Sequence, residues 1–143
     1  MTSQPEQERP SASSLQMALS NAIVGCLREY TGRGPTRART TIRDNIVLVI
    51  LEQTLTKGEQ SLVAKGRGDR VLALRQEYQA AMREESSAMV AELTGRTVVA
   101  MMSANHIDPD LGAEIYVLDG APDPNASPRG MSSATRPGEN SLD

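Results

Sequence analysis

The most pointed chemistry in the chain is a glycine-flanked run of arginines. Gly32-Arg33-Gly34-Pro35 is followed by Arg37, Arg39 and Arg43, and with Arg28 this places five arginines between positions 28 and 43. Glycines let backbone amides approach an anion, and guanidinium forks bind phosphate or carboxylate through two parallel hydrogen bonds. The segment is not a phosphate loop, because it lacks the closing Gly-Lys-Ser/Thr and the strand-to-helix setting, and it is not a dinucleotide fingerprint. Arg33, Gly34, Arg37, Arg39 and Arg43 are therefore the candidate surface for a partner or an anion. The plainer alternative is a helix stop followed by an edge strand whose outer face is charged against aggregation.

Other reactive side chains are sparse. His106 is the one histidine, near Asp108, Asp110 and Glu114. Zinc takes several rigid His or Cys ligands, and calcium loops need alternating acids around a central glycine. Neither pattern is met, so no metal site and no cofactor are expected. Cys26 is the single cysteine, which excludes an intrachain disulfide and suits a reducing cytoplasm. Beside Leu27 it reads as a small buried hydrophobe. Lys65, Arg67, Arg70 and Arg75 form a second basic cluster near a helix start, with Asp69 in position to cap that helix. No nucleophile, base and orienting group fall at usable spacing, and the acids Glu84-Glu85 belong on a solvated helix face. No catalytic residue is assigned and no enzyme activity is expected.

The bulk properties agree. The 143 residues suit one domain, and with no Trp or Phe and three Tyr the core must be aliphatic, with Met as filler. A net charge of −3 and few aromatics disfavour nucleic acid as a partner. Met1–Pro10 carries Glu6, Glu8 and Arg9 and no apolar run, unlike a signal peptide. The longest apolar run, Ile46 to Leu51, has six residues against the roughly 20 of a membrane helix, so no membrane span is expected.

The elements that must position the arginines follow from periodicity. Residues 1–14 and 120–143 are rich in Ser, Pro, Gly and charge and read as disordered tails around a domain at 15–119. Leu15, Leu19, Ile23, Leu27 and Tyr30 recur at three- and four-residue steps, a helix with Ser13 or Ser14 as cap, stopped by Gly32 to Pro35. Ala38, Thr40 and Ile42 alternate with Arg37, Arg39, Thr41 and Arg43, a strand that turns at Asp44-Asn45 into Ile46–Leu51. That second strand is apolar on both faces. Either helices cover both sides of the sheet or a second subunit covers one, which makes a homo-oligomer the expectation.

Thr56 and Glu59 have capping-box spacing and open a short helix to about Ala64. A long helix runs from Asp69 to about Leu93 with Val71, Leu74, Tyr78, Met82, Met89 and Leu93 as its inner stripe, closed by Gly95. Strands at Thr97–Ser103 and Ala113–Leu118 flank a loop at Ala104–Gly112 that contains Asp108-Pro109. The fold class is α+β, ordered α-β-β-α-α-β-β, with a small mainly antiparallel sheet packed with helices.

Several segments in this order resemble a known family. They are Ser20-Asn21-Ala22-Ile23-Val24, Tyr30 followed by Gly32-Arg33-Gly34-Pro35, and Leu55-Thr56 with Glu59 and Leu62. Arg75, Glu92-Leu93-Thr94-Gly95-Arg96-Thr97-Val98 and Ile115-Tyr116-Val117-Leu118 complete the set. Together they resemble the bacterial family first catalogued as a domain of unknown function and later named MpsC, after a component of the Na+-translocating membrane potential-generating system. The resemblance spans about residues 15 to 119. It departs at Arg33, where the family often has Lys, and at Thr31, which separates Tyr30 from Gly32. It implies association with a membrane ion-transport system and assigns no catalytic residues. The first reading is therefore a non-enzymatic accessory or regulatory protein of such a system, cytoplasmic or peripheral at the inner face of the cell membrane, with transport proteins as partners. The residues themselves leave a second reading, a soluble module that senses a small anion or nucleotide through the arginine loop.

Overall fold

The structure, a computed structural model, describes residues 12–35 and 37–126. The order of elements is α1 (Ala12–Thr31), β1 (Arg37–Arg43), β2 (Ile46–Glu52), α2 (Lys57–Ala64), α3 (Gly68–Thr94), β3 (Val98–His106) and β4 (Leu111–Leu118). The four strands form one antiparallel sheet in the order β1-β2-β4-β3, so the fold is α+β as its residues imply. Of the tails expected from composition, residues 1–11 and 127–143 lie outside the described residues.

Local chemistry sets the element ends. Asp44 at φ 54° opens the tight turn between β1 and β2, a backbone that Asp and Asn tolerate better than branched residues. Asn45 then ties the hairpin to β4: its Nδ2 donates to the Leu118 carbonyl at 3.0 Å, and the Leu118 amide donates to the Asn45 carbonyl at 2.8 Å. The capping box of α2 is complete, with the Glu59 amide donating to Thr56 Oγ1 at 3.1 Å and the Thr56 amide donating to Glu59 Oε1 at 2.8 Å. Gly95 ends α3 in the left-handed region at φ 70°.

Three boundaries differ from the sequence reading. Helix α1 starts at Ala12, so Ser13 and Ser14 lie inside its first turn rather than capping it. Arg67, not Asp69, is the N-cap of α3 and makes no side-chain cap bond, while Asp69 sits in the first turn, where its charge suits the helix dipole. Strands β3 and β4 extend to His106 and from Leu111, leaving a loop of 107–110 and placing His106 in a strand.

Helices α1 and α3 lie on one face of the sheet. Leu19, Ile23, Cys26 and Leu27 of α1 join Met82, Val90 and Leu93 of α3 over Val47, Val49, Leu51, Met101, Tyr116 and Leu118. The inner stripe of α3 is not the apolar one expected. Val71, Arg75, Gln79, Met82, Ser86, Val90 and Leu93 are buried, whereas Leu74 is 37% exposed and Tyr78 and Met89 are only partly covered. The helix is rotated so that Arg75 and Gln79 face inward, because each finds an acidic partner there.

Candidate functional site

The two faces of the sheet differ sharply. Along β2, Val47, Val49 and Leu51 are buried under the helices, while Ile46, Leu48 and Ile50 point the other way. No described element covers that second face. Ile46 keeps 41% of its surface and Met102 50%.

Register places the arginines on the same open face. Residues directly opposite on neighbouring antiparallel strands share a face. Arg39 pairs with Ile50, Thr41 with Leu48 and Arg43 with Ile46, and Arg37 lies opposite Glu52. On the far side of β2, Ile50 pairs with Ala113, Leu48 with Ile115 and Ile46 with Val117. Strand β3 completes the rows with Ala104, Met102 and Ala100. The open face is thus a cationic edge column on β1, two columns on β2 and β4 that are aliphatic except for Glu52, and a column on β3 of Ala100, Met102, Ala104 and His106. Arg39 Nη2 meets Glu52 Oε2 at 3.4 Å, which anchors one end of the cationic column. The opposite side of β1 is tied to α1 by a 2.7 Å bond between the hydroxyls of Ser20 and Thr40.

The five residues singled out from sequence do not form one site. Arg37, Arg39 and Arg43 stand in a column. Arg33 does not join them: its Nη2 donates to the Gln53 carbonyl at 3.2 Å, and it lines a cavity of about 480 Å³ shared with Asp108 and Asp110. Carboxylates in that wall make it a poor receptor for an anion. Gly34 sits under the guanidinium of Arg28, whose Nη2 lies 2.9 Å from where a Cβ would be. The space beside this glycine is filled by the chain's own arginine.

A second feature escaped the sequence, a buried polar band under α3. Arg75 pairs with Glu59 at 2.6 Å, with both side chains about 5% exposed or less, and also donates to the Thr54 carbonyl. Arg75 therefore leaves the second basic cluster and becomes structural. Further along, the Gln79 and Asn105 amides exchange hydrogen bonds at 3.1 and 2.9 Å. Gln79 Nε2 also donates to Glu114 Oε2 at 3.1 Å, and Ser103 Oγ donates to Glu114 Oε1. Burial raises the Glu114 carboxyl above its usual range, against the lowering effect of these donors and of Arg83. The signal for this band was present in β4, where Glu114 and Tyr116 share one parity and Ile115 and Val117 the other. The polar parity is the one that faces the helices.

The remaining candidates fall in ordinary surroundings. Cys26 is buried, and burial with nearby Glu85, Glu29 and Glu114 pushes its thiol up to about 11. His106 is exposed, with Nδ1 2.8 Å from the Pro109 carbonyl. Among the described residues no group of three or more His, Cys, Asp or Glu converges to hold a metal ion. Among them, too, no helix is long and apolar enough to cross a membrane.

Comparison with known proteins adds one result. The family model described as Na+-translocating membrane potential-generating system (MpsC) matches residues 11–120, nearly all of the described fold. No curated protein and no solved structure matches the chain.

Proposed function

The chain belongs to the MpsC family, and from that premise we propose that it is a non-enzymatic accessory or regulatory component of a Na+-translocating, membrane potential-generating system. It works in the cytoplasm, at the inner face of the membrane, by docking to a transport protein. The observation that carries this reading is the column of Arg37, Arg39 and Arg43 on an edge strand, held in line by β1–β2 pairing. Among the described residues only Arg39 of the three meets a carboxylate, at 3.4 Å and with its side chain 54% exposed. Cations spaced along an edge strand suit an acidic segment of a partner protein, and such contacts steer association and set specificity.

The test uses purified full-length protein and inverted membrane vesicles of its own host, with the bound fraction measured by pelleting. Binding to native vesicles is expected, falling as salt is raised, and absent for R37E/R39E. Protein-free liposomes of the same lipids should bind far less. Equal binding to liposomes, or no pelleting with native vesicles, would overturn the assignment to a protein partner.

A further inference from the structure

We propose that the open face of the sheet is closed by a second copy of this chain, in a two-fold sandwich that sets β1 of one copy over β3 of the other. The inference stands on the sheet itself and does not depend on the transport reading.

Size is the first argument. Four strands about 4.8 Å apart, each showing four outward residues about 6.7 Å apart, make a face of about 500 Å². Two such faces remove about 1,000 Å², the area at which a contact qualifies as a specific interface. The composition is also that of an interface. Its two central columns, on β2 and β4, are aliphatic except at the last row, where Glu52 sits beside Arg39. Interface cores are depleted of charge, and charged residues belong to the rim.

Charge then selects the arrangement. Two sheets meeting face to face can be related by a two-fold axis across the strands or along them. An axis across the strands stacks β1 on β1 and brings the two arginine columns together, and like charges so opposed disfavour that complex. An axis along the strands stacks β1 on β3 and β2 on β4, row against row. Arg39 then lies over Ala104 and Arg43 over Ala100, long stems over small side chains, Leu48 meets Ile115 and Ile50 meets Ala113, and at the end row Arg37 lies over His106. Large side chains facing small ones let two layers interdigitate. The guanidinium ends reach past the partner's edge into water and stay available for another protein. A lipid surface is the poorer fit, because membrane-interface residues are typically Trp and Tyr, and the outward rows of this face have neither.

Light scattering on the purified full-length protein should give twice the 15.4 kDa chain mass at micromolar concentration. L48E/I115E, which places a carboxylate at two central positions of each copy, should weaken association roughly 100-fold or more while retaining the wild-type circular dichroism spectrum. Cross-linking tests the orientation without relying on that variant. In T41C/M102C a short bis-maleimide should join two chains, because Thr41 of one copy faces Met102 of the other, whereas T41C alone should remain uncoupled. Within one chain the two positions are three strands, about 14 Å, apart, and buried Cys26 should not react.

A monomeric wild type overturns the proposal, whether or not anionic phosphatidylglycerol vesicles bind it through this face. A dimer that L48E/I115E leaves intact overturns the assigned surface, and efficient coupling of T41C alone overturns the orientation. The transport reading is tested separately by vesicle binding, so either result can fail without the other.

Discussion

Arg75 offers a strong test of the packing, because its charge is buried and its partners are few. It donates to Glu59 Oε1 at 2.6 Å and to the Thr54 carbonyl, and its side chain is 4% exposed. The bond joins α3 to α2 and to the segment leaving β2. Arg75→Met keeps most of the stem volume but leaves the Glu59 carboxylate buried without its cation. Removing one member of such a pair costs about 3–5 kcal/mol, because the remaining charge is uncompensated. Small domains hold only about 5–15 kcal/mol in total, so the loss is a large fraction of stability. With a urea slope of about 1.5 kcal/mol/M, the midpoint should fall by roughly 2–3 M. E59Q/R75M replaces both charges with neutral groups of similar shape and should recover a good part of that loss. The expected coupling is about 2 kcal/mol between the two sites, measured from urea unfolding of the four proteins. A cost below about 1 kcal/mol for R75M, or strict additivity in the double variant, would refute the buried-pair argument.

Other outcomes follow from the same geometry. Glu114 has a folded pKa above its unfolded value because of burial. The native state therefore binds more protons between those two values, and its stability falls as pH rises through that window. E114Q removes the titration, so the difference in stability between variant and wild type should open above about pH 4.5 in the variant's favour and level off above the folded pKa. An unchanged difference across pH would contradict the burial argument. Gly95→Ala should cost about 1–2 kcal/mol by denaturant melt, because its φ of 70° is unfavourable to a side chain and the added carbon would lie 2.9 Å from Asp123 Cβ. Cys26, with its thiol raised to about 11, should resist iodoacetamide at pH 8 in the native protein and react fully in urea. R37E/R39E should shift the melt by no more than about 1 kcal/mol, since the Arg39–Glu52 pair is exposed and such pairs contribute little.

Much of the fold was legible because local signals are strong. The glycine after each long helix, the Asp44-Asn45 turn and the Thr56/Glu59 box are short-range chemistry, and the structure has all of them. The order of elements and the antiparallel sheet follow from those stops and from period-two strands. The phase of α3 was not legible. Leu74 and Tyr78 form a plausible apolar stripe, yet the helix turns Arg75 and Gln79 inward because Glu59 and Glu114 wait there. Both partners are more than 15 residues away in sequence, beyond the reach of local periodicity.

The candidate site was half legible. Alternation along β1 put Arg37, Arg39 and Arg43 on one face, and the two-sided apolar β2 implied that its second face needs a cover. The separation of Arg33 from that column depends on the chain path after Gly32, and no spacing rule reports it. Nor does sequence reveal that Arg28 fills the space beside Gly34.

Affinity capture from detergent-solubilised host membranes tests the central functional claim most directly. Tagged wild-type protein and R37E/R39E serve as paired baits, and the eluates are compared by quantitative mass spectrometry. A subunit of a membrane ion-transport system should be recovered with the wild type and lost with the charge-reversed bait. Equal recovery of that subunit with both baits would contradict the role of the arginine column, and recovery of soluble proteins alone would contradict the transport-accessory function.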